Sequence, residues 1–560
     1  MDLNLVIGGE AGQGLKTTSY ILGKAIFRMN YNIFTSQDYM SRIRGGHNFV
    51  KIRFGDNKIN GPEEKIDLLI ALNEKTIEVH KNNLADNGII LWEEKRNDLD
   101  SIITIPAREI ASEINIKGIN TVYMGAALKL IGLDLKKTIE VIETYFAKED
   151  IIKDNIELLK AGYEEVETKI EMKSAPEKDE EFYMNGNQAI AAGAILGEVQ
   201  FYSAYPMSPS TGIMSYLSGK QPNMNLVVEQ AEDEIGAINM ALGASYGGIR
   251  AMTGTSGGGF ALMAEGVGLA GITETPLVIA EVQRPGPATG LPTRTEQGDL
   301  SFVINVSQGE FPLMVTAPRD QEDALNKSFR ALNLAEKYQI PVVLLSDQFL
   351  ADSSKNIPEL DLENMENKNY KVDPEDYQNK EYKRYEITES GISPLAYPGL
   401  ISDQTVLVDS DEHDEKGHII EDAETRNKMV EKRKRKQQKL IEDDLEEPKY
   451  FGESNIDYML ISWGSTYGPV LEALELLKDE KIAVGYLSFT DVWPLPRKKI
   501  NNLLDKEIEI VVIENNSTGQ FARLITGETG IKINHNILKY DGRPFTGKEL
   551  YQRIKNEVIK

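Results

Sequence analysis

The chain has 560 residues, 41% of them hydrophobic, so a typical domain size of roughly 150 residues predicts three or four domains with buried cores. Its formal net charge of −26 argues against a nucleic-acid binder, because such proteins need a basic surface. The sequence contains no cysteine, which excludes disulfides and any cysteine-ligated zinc or iron–sulfur site from this chain.

Neither a membrane span nor a targeting segment is expected. No window approaches about 18 uninterrupted apolar residues, the length that a transmembrane helix requires. The N-terminal sequence MDLNLVIGG has no basic segment before its apolar residues, unlike a signal peptide. We therefore expect a cytoplasmic protein.

The first predicted domain covers residues 1–172 and alternates strands with helices. LNLVIGG reads as a buried strand, and LKTTSYILGKAIF reads as the helix that follows it. Further strands are expected at IDLLIAL and GIILW. This alternation predicts an α/β layer architecture with a parallel sheet. Residues 173–182 are charged and lack an apolar period, so we interpret them as a linker.

Two loops of this domain are candidates for anion binding. The motif GGEAGQG follows a strand and opens a helix, so backbone N–H groups around Gly12 and Gly14 can face a phosphate. A tight turn that lets helix and sheet pack is the alternative. The motif SRIRGGH carries Arg42 and Arg44 beside two glycines, which is compatible with phosphate binding or with an interface loop.

A second α/β unit is predicted at residues 183–352, with strands at QFYSAYP, LVIAEVQ and IPVVLLSDQ. The turn YPMSPST is stiffened by two prolines and carries Ser208. Arg284 follows the strand LVIAEVQ, at the edge where open α/β sheets bind ligands, and its natural target is a carboxylate. Arg294, in the loop beyond, is a second candidate for such a contact.

Three acidic residues precede a helix of small residues in the motif EDEIGAINMALGAS. Glu232, Asp233 and Glu234 at a helix N-terminus are usually capping groups. The glycines and alanines that follow would also let this helix approach another backbone closely. A carboxylate on such a helix can therefore be presented to a ligand at an interface.

The remaining chain is divided into a charged connection, 353–450, and a third α/β unit, 451–560. The connection contains EKRKRKQQK and is interpreted as a solvated helix with loops. His413 and His418 lie there among acids, but their spacing matches no standard metal site, so we favour a solvated acidic loop. In the third unit we expect strands at YMLISWGS, IAVGYLSF and IEIVVIEN.

The motifs YPMSPST, EDEIGAINMALGAS, TSGGGFALM and VQRPGPATGLPTRTEQGDL together resemble the alpha subunit of 2-oxoacid:ferredoxin oxidoreductases. GGEAGQG and SRIRGGH resemble the gamma subunit of the same family. The chain is thus similar to a fused gamma–alpha subunit over nearly its full length. The resemblance implies a gamma-type α/β domain, a thiamine-diphosphate-type pyrimidine domain and a transketolase C-terminal-like domain.

The resemblance also implies thiamine diphosphate chemistry, with a glutamate contacting the aminopyrimidine ring of the cofactor. By the family's spacing this glutamate is Glu234, nine residues before Gly243, with Glu232 as the fallback. The coenzyme A site is not placed by the motifs, and the glycine loop with Gly12, Gly14 and Arg44 is a candidate for it.

The substrate residues are also implied by the resemblance. The hydroxyl of Ser208, where many relatives have threonine, would face the substrate, and Tyr205 and Pro206 would shape the pocket wall. Arg284 would bind the carboxylate of the 2-oxoacid. Arg294 would bind a second carboxylate, since 2-oxoglutarate is the favoured substrate.

Parts of the enzyme are expected on another subunit. No GDG motif followed by a magnesium-binding asparagine occurs, and no cysteine is present to ligate a cluster. Magnesium and a [4Fe-4S] cluster are therefore expected on a beta subunit, and no metal on this chain. In the third unit Asn515, Gly519 and Gln520 either line an interface or form an ordinary strand-to-helix turn.

The implied function is a reversible, coenzyme A-dependent oxidative decarboxylation that reduces ferredoxin, in a dimer of heterodimers. Pyruvate and branched-chain 2-oxoacids are alternative substrates. Two other functions were weighed: a non-catalytic assembly subunit, and a thiamine enzyme without ferredoxin. The joint presence of Glu234, Ser208 and Arg284 argues against the first, and the gamma-like segment against the second.

Overall fold

The computed structural model describes residues 2–41, 45–361, 365–502 and 507–559. The chain divides into two units, which are described in turn. The first unit consists of Met1–Met184, Asp352–Glu359 and Thr546–Lys548, and the second of Asn185–Ala351, Leu360–Phe545 and Glu549–Lys560. Among the described residues, none of the helices combines the length and the apolar character that crossing a membrane would need.

The first unit is built on a mixed sheet with the strand order β6-β5-β4-β1-β3-β2-β14-β7. β1, β4, β5 and β6 pair in parallel, as the alternation of strands and helices predicted. The expectation of a purely parallel sheet is wrong, because β2 and β3 form an antiparallel hairpin on β1. The strands are β1 (Asp2–Gly9), β2 (Asn32–Asp38), β3 (Asn48–Gly55), β4 (Ile66–Ala71), β5 (Leu84–Trp92), β6 (Ile102–Thr104), β7 (Glu181–Asn185) and β14 (Ser354–Pro358).

Glycines set the helix packing of the first unit. A Cβ at Gly125 would lie against the Leu159 carbonyl, and a Cβ at Gly162 against the Val122 carbonyl, so the two helices that carry these glycines touch backbone to backbone. Leu128, which is fully buried, belongs to the apolar core that these helices share with the sheet. The helices are α1 (Leu15–Arg28), α2 (Glu74–His80), α3 (Ala107–Ile114), α4 (Ile119–Leu130), α5 (Lys136–Tyr145) and α6 (Glu149–Glu164).

A second sheet, in the second unit, has the order β18-β12-β13-β11-β10-β8-β9. All its pairings are parallel except that of β12 with β18, a strand contributed from much later in the chain. Every residue of β11 and β13 is buried, as is typical of parallel strands covered on both faces. The strands are β8 (Phe201–Ala204), β9 (Val227–Gln230), β10 (Ala251–Thr255), β11 (Leu277–Gln283), β12 (Met314–Thr316), β13 (Pro341–Asp347) and β18 (Asp491–Trp493).

The helices around this sheet begin with side-chain caps at several points. Asn185 and Gln188 form a capping box at one N-terminus, and Asp320 accepts a hydrogen bond from the Asp323 N–H at another. The helices are α7 (Gly186–Leu196), α8 (Thr211–Lys220), α9 (Glu234–Tyr246), α10 (Gly257–Leu262), α11 (Ala264–Ile272), α12 (Leu300–Val303), α13 (Gln321–Tyr338) and α14 (Gln348–Asp352).

A third sheet has the order β15-β17-β16-β19-β20, and its three central strands lie where IAVGYLSF, YMLISWGS and IEIVVIEN predicted them. The expected class, three successive α/β segments, is confirmed. Its strands are β15 (Lys449–Gly452), β16 (Tyr458–Trp463), β17 (Val484–Phe489), β19 (Glu509–Glu514) and β20 (His535–Leu538). Its helices are α16 (Tyr467–Asp479), α17 (Lys498–Asn501), α18 (Gln520–Thr529) and α19 (Gly547–Glu557).

The charged connection contains one long helix, α15 (Ala423–Asp443). The interpretation of this helix as solvated is wrong, because Lys432 and Lys436 are buried. The Lys432 Nζ lies 2.6 Å from Glu274 Oε1, and Lys436 contacts the other oxygen of the same carboxylate. The two lysines share the single negative charge of Glu274, and these contacts fix α15 to the loop that follows α11.

Candidate active site

The proline-containing turn after β8 is held by one hydrogen bond within the turn and by hydrogen bonds from two neighbouring side chains. The hydroxyl of Ser210 donates to the Met207 carbonyl at 2.8 Å, and the side-chain amide of Asn187 donates to the Pro209 carbonyl at 3.0 Å. The Ser208 carbonyl accepts from Arg284 Nη1 at 2.6 Å. Ser208 and Tyr205 are exposed, so the turn presents both side chains outward from a fixed backbone.

Arg284 follows β11 directly, at the carboxyl end of the parallel sheet, as the sequence predicted. Its side chain is half-buried, and burial lowers its pKa while Asp299, Glu234 and Glu281 act in the opposite direction. The guanidinium therefore lies between the turn at Ser208 and a group of buried carboxylates. An arginine in this position keeps further donors for an anionic ligand.

Glu234 is the first residue of α9, and its side chain is 3% exposed. The cap of this helix is Asp233, whose Oδ1 accepts from the Gly236 N–H at 2.7 Å. Glu234 is therefore not needed as a cap. Within the described residues, its Oε1 is buried and receives no hydrogen bond. Glu232, the fallback, is exposed to solvent.

The sequence TSGGGF ends β10 and opens α10, and its last glycine lies against Glu234. A Cβ at Gly259 would meet Thr255 Oγ1 and would stand 2.5 Å from Glu234 Oε1, so glycine leaves space for both side chains at this position. Gly258, one residue earlier, has ample room, because its Cβ would lie 3.8 Å from the Ala288 carbonyl. A buried carboxylate oxygen without a donor can accept a hydrogen bond from a protonated ring nitrogen of a ligand.

Two further acids near Arg284 were missed by the sequence reasoning. Glu281 is fully buried in β11, and Asp299 lies just before α12 with its carboxyl group against Gly257. Burial raises the pKa of Asp299 to about 6 and raises the pKa of Glu281 well above its usual range. The sequence did contain a signal for Glu281, because this acid interrupts the mainly apolar and buried run LVIAEVQ.

The loop after Arg284 is attached to the third sheet. Gln297 donates to the Trp463 carbonyl at 2.8 Å and accepts from the Asn515 N–H at 3.0 Å. Gln520 donates to the Gly298 carbonyl at 2.6 Å. Asn515, Gly519 and Gln520 form the turn from β19 to α18, which is the strand-to-helix alternative, and Asn515 and Gln520 also contact the loop after Arg284. Gln297 had not been singled out.

Arg294 lies in the same loop. It donates to the carbonyl of Thr293 at 3.0 Å, and its Cβ lies 3.2 Å from where a Cβ at Gly542 would stand. This contact places Arg294 beside the loop that follows β20.

The first unit holds the remaining candidates. Gly12 and Gly14 have φ angles of 93° and 75°, the left-handed region that favours glycine. Nothing lies within 4 Å of a Cβ at Gly12, so the loop is open on that side. Arg42 and Arg44 lie outside the described residues.

The two histidines of the charged connection have different surroundings. His413 is fully buried, and its ring lies tilted against Tyr385 with a centroid separation of 3.8 Å, whereas His418 is exposed and lies 3.3 Å from Asp414. The interpretation as a solvated loop therefore holds for His418 only. Across the described ranges, no group of three or more potential metal ligands is found.

The small-residue helix α9 has an exposed face. Ile235 and Met240 are 51% and 45% exposed, and Gly243 has nothing within 4 Å of its Cβ position. Ala237 and Ala241, on the other face of the same helix, are fully buried in the core, so the close approach expected for the small residues is made there and not at Gly243 within the described chain. The exposed face adjoins the buried Glu234, which stands at the start of the same helix.

Three segments of the chain match known protein family models. Residues 192–432 match the family model described as pyruvate flavodoxin/ferredoxin oxidoreductase, thiamine diphosphate-binding. Residues 4–165 match pyruvate ferredoxin/flavodoxin oxidoreductase, and residues 456–550 match pyruvate:ferredoxin oxidoreductase core domain II. The residues around Glu234 and Arg284 lie inside the first of these ranges.

Known proteins match over the whole chain or over two thirds of it. The 2-oxoacid:ferredoxin oxidoreductase subunit alpha of Sulfolobus sp is 34% identical, with 100% of this chain and 97% of that protein covered. The 2-oxoglutarate synthase subunit KorA of Methanothermobacter marburgensis is 30% identical over 67% of this chain and 98% of its own length.

A solved structure is also similar: 2-oxoglutarate:ferredoxin oxidoreductase from Magnetococcus marinus with 2-oxoglutarate, coenzyme A and succinyl-CoA bound. It shares 32% identity and a TM-score of 0.92, with 99% of each chain covered. The resemblance drawn from the motifs is confirmed. The chain belongs to the family of 2-oxoacid:ferredoxin oxidoreductase alpha subunits and is a subunit of an oxidoreductase that has a thiamine-diphosphate-binding domain.

Proposed function

We propose that this chain is the alpha subunit of a 2-oxoglutarate:ferredoxin oxidoreductase. With a beta subunit, it would convert 2-oxoglutarate and coenzyme A to succinyl-CoA and carbon dioxide, reversibly, while two electrons reduce ferredoxin. The similar solved structure carries these ligands, which supports the choice of substrate. The observation that carries the proposal is the buried Glu234 carboxylate, whose Oε1 lacks a donor and adjoins Gly259.

Glu234 fits the role of the residue that holds the aminopyrimidine ring of thiamine diphosphate. The free Oε1 can accept the hydrogen bond of a protonated ring nitrogen, and burial excludes water that would otherwise compete for it. Thiamine diphosphate, when bound, supplies the carbon nucleophile that attacks the keto group and takes up the electrons left by carbon dioxide.

Arg284 binds the carboxylate next to the keto group of the substrate in this proposal. One of its nitrogens is engaged by the Ser208 carbonyl, which fixes the guanidinium and leaves other donors free to form a bidentate pair. The hydroxyl of Ser208 is exposed on the same turn and donates to the keto or carboxylate oxygen. Tyr205 and Pro206 form the wall beside it.

The second carboxylate of 2-oxoglutarate requires another cation, and we assign this role to Arg294. Pyruvate and branched-chain 2-oxoacids have no second carboxylate, so Arg294 would decide between the substrates. Arg294→Ala is expected to lower kcat/KM for 2-oxoglutarate more than for pyruvate. An unchanged ratio of the two values would remove Arg294 from the site without affecting the assignment of Glu234.

A beta subunit completes the enzyme. This chain has no cysteine, so the iron–sulfur cluster that passes electrons to ferredoxin needs ligands from another subunit, and the magnesium site is assigned there as well. The exposed face of α9, with Ile235 and Met240, supplies an apolar surface for that subunit. A dimer of such heterodimers in the cytoplasm is the proposed assembly.

Coenzyme A is assigned to the loop at Gly12 and Gly14, with Arg44 as a phosphate ligand. Both glycines have a left-handed backbone in the loop that precedes α1, and nothing lies within 4 Å of a Cβ at Gly12, so a phosphate has room beside the start of the helix. Gly12→Ala should raise the KM for coenzyme A and leave the KM for the 2-oxoacid unchanged, because the two sites bind different substrates.

The test uses the chain copurified with its beta subunit, in an assay of 2-oxoacid- and coenzyme A-dependent reduction of a viologen dye. Glu234→Gln should abolish activity and weaken thiamine diphosphate binding, measured by calorimetry. Glu232→Gln is the matched control, because it makes the same change two residues away at an exposed side chain. Full activity of the Glu234→Gln enzyme would refute the proposed site and favour a non-catalytic assembly subunit.

A further inference from the structure

A pair of carboxyl groups lies directly behind the arginine that binds substrate in the proposed function. Glu281 belongs to β11, three residues before Arg284, and its neighbours across the sheet are Thr255 on β10 and Leu345 on β13. The side chain is fully buried. Within the described residues, no N–H or O–H group donates to either of its carboxylate oxygens.

Asp299 approaches Glu281 from the loop that ends at α12. Its backbone N–H donates to Gln283 Oε1 at 3.0 Å, which fixes the residue over the end of β11. Its carboxyl group packs so closely on Gly257 that a Cβ there would stand 2.9 Å from the Asp299 Cγ. The Oδ2 atom is buried and receives no donor from the described chain.

The carboxyl groups of Glu281 and Asp299 are close enough for each to change the pKa of the other, and no other described residue donates to the Glu281 oxygens or to Asp299 Oδ2. Two ionised carboxylates only accept hydrogen bonds, so this contact requires one proton between them. Like charges at this separation, away from water, disfavour double ionisation strongly. The pair is therefore expected to carry a single negative charge over a wide range of pH.

The charged groups around the pair also favour a single negative charge on it. Burial and the charges of Asp299 and Asp347 raise the pKa of Glu281, and Arg284 lowers it. The pKa of Asp299, about 6, is raised by burial and lowered by its contact with Glu281 and by Arg284. The other acids that face this cluster are Glu234, near Arg284, and Glu296, near Asp299.

We propose that Glu281 and Asp299 share one proton at neutral pH and act as a positioning pair, which sets the net charge that Arg284 offers to the substrate carboxylate. This inference rests on the proposed function, in which Arg284 binds the 2-oxoacid. A singly charged pair orients the guanidinium without cancelling its attraction for substrate. A doubly charged pair competes with the substrate carboxylate for the same arginine.

The consequence is a specific pH profile. Loss of the shared proton at alkaline pH should raise the KM for the 2-oxoacid, while kcat at saturating substrate is affected less. Glu281→Gln places an amide donor beside Asp299 and fixes the charge of the pair at one negative unit at all pH values above the titration of Asp299. Asp299→Asn does the same from the other side.

The experiment measures KM and kcat against pH for the complex with the beta subunit. At neutral pH the KM of Glu281→Gln should stay within about threefold of wild type, and its alkaline rise in KM should disappear. Asp299→Asn should behave in the same way, and Glu281→Leu should also lose the alkaline rise, because the one remaining carboxyl group cannot carry two negative charges. A persistent alkaline rise in both amide variants would overturn the proposal.

A second readout does not depend on substrate. Infrared difference spectra of the holoenzyme at neutral pH should contain the carbonyl band of a protonated carboxyl group, and Glu281→Gln should remove it. The absence of this band from wild type would overturn the shared proton. Failure of the proposed function would appear differently: Arg284→Gln would leave the KM for the 2-oxoacid unchanged, while the infrared band persisted.

Discussion

Gly259 and Glu234 lie so close together that the carboxylate of Glu234 occupies the space where a side chain at position 259 would begin. A Cβ there would stand 2.5 Å from Oε1. Glycine in this first turn of α10 is therefore required by neighbouring side chains, those of Glu234 and Thr255, and not by a left-handed backbone, since Gly259 has no positive φ angle. The Oε1 atom of Glu234 is buried beside this turn and has no donor from the described residues.

The first prediction concerns this contact. Gly259→Ala should displace the Glu234 carboxylate and reduce thiamine-dependent activity by about tenfold or more, because small displacements of a catalytic group are costly. Gly258→Ala makes the same change one residue earlier, where the nearest atom would be 3.8 Å away, and should retain activity and stability. Viologen reduction and thermal unfolding of both variants provide the comparison. Equal activities would mean that the carboxylate can move without consequence.

Arg284 gives the second prediction. Arg284→Lys keeps the positive charge but loses the bidentate geometry and the bond to the Ser208 carbonyl, and Arg284→Gln loses the charge as well. Losing one partner of a desolvated charge pair costs about 2–5 kcal/mol, so kcat/KM for the 2-oxoacid should fall in the order wild type, lysine, glutamine. Steady-state kinetics on the complex test this order. Identical values for the two variants would exclude a charge contact with substrate.

The buried contacts of α15 give a prediction about stability. Glu274→Gln leaves Lys432 and Lys436 without their counter-charge in a site from which water is excluded, and breaking such a group costs about 3–5 kcal/mol. Lys428→Met, on the same helix, removes only an exposed pair with Glu424 and should change the unfolding free energy by less than about 1 kcal/mol. Urea unfolding followed by circular dichroism distinguishes them. Similar midpoints for both variants would contradict the buried network.

A histidine pair in the first unit predicts a dependence of stability on pH. His47 and His80 are buried with their Nε2 atoms 2.9 Å apart, and burial lowers the pKa of His80 from 6.5 to about 4. Between pH 6.5 and 4, His80 is protonated in the unfolded chain but remains neutral in the folded protein. Stability should therefore fall as the pH falls from 6.5 towards 4, by about 1.4 kcal/mol for each unit of pKa difference.

The measurement is the thermal midpoint of the chain at several pH values between 7 and 4, compared with His80→Gln. The variant cannot bind the proton in either state, so its midpoint should decline less over this range. If both proteins lose stability at the same rate, other groups control the acid response.

Much of the fold and part of the site were accessible from the sequence. Apolar runs such as LVIAEVQ and the central strands of the third sheet are buried on both faces, so their pattern alone indicated strands of α/β layers. Glu234 was identified by its distance from Gly243 in a recognisable motif, and Arg284 by its place after a strand. Each of these depends on residues close together in the chain, where spacing carries information.

The remaining features depend on contacts between distant segments. Glu281 and Asp299 meet because the loop after Arg284 is drawn to the third sheet by Gln297 and then returns over Gly257. The antiparallel placement of β2 and β3 in the first unit likewise depends on which neighbour pairs with β1.

By itself, the sequence determined the α/β class, the family and the residues that its motifs mark. It indicated a solvated helix for EKRKRKQQK, because a run of cations is normally hydrated. Only the tertiary structure decided otherwise, since Glu274, more than 150 residues earlier in the chain, supplies the charge that lets Lys432 and Lys436 be buried. Local patterns record propensity and periodicity, whereas the cost of burying a charge depends on a partner that only folding brings near.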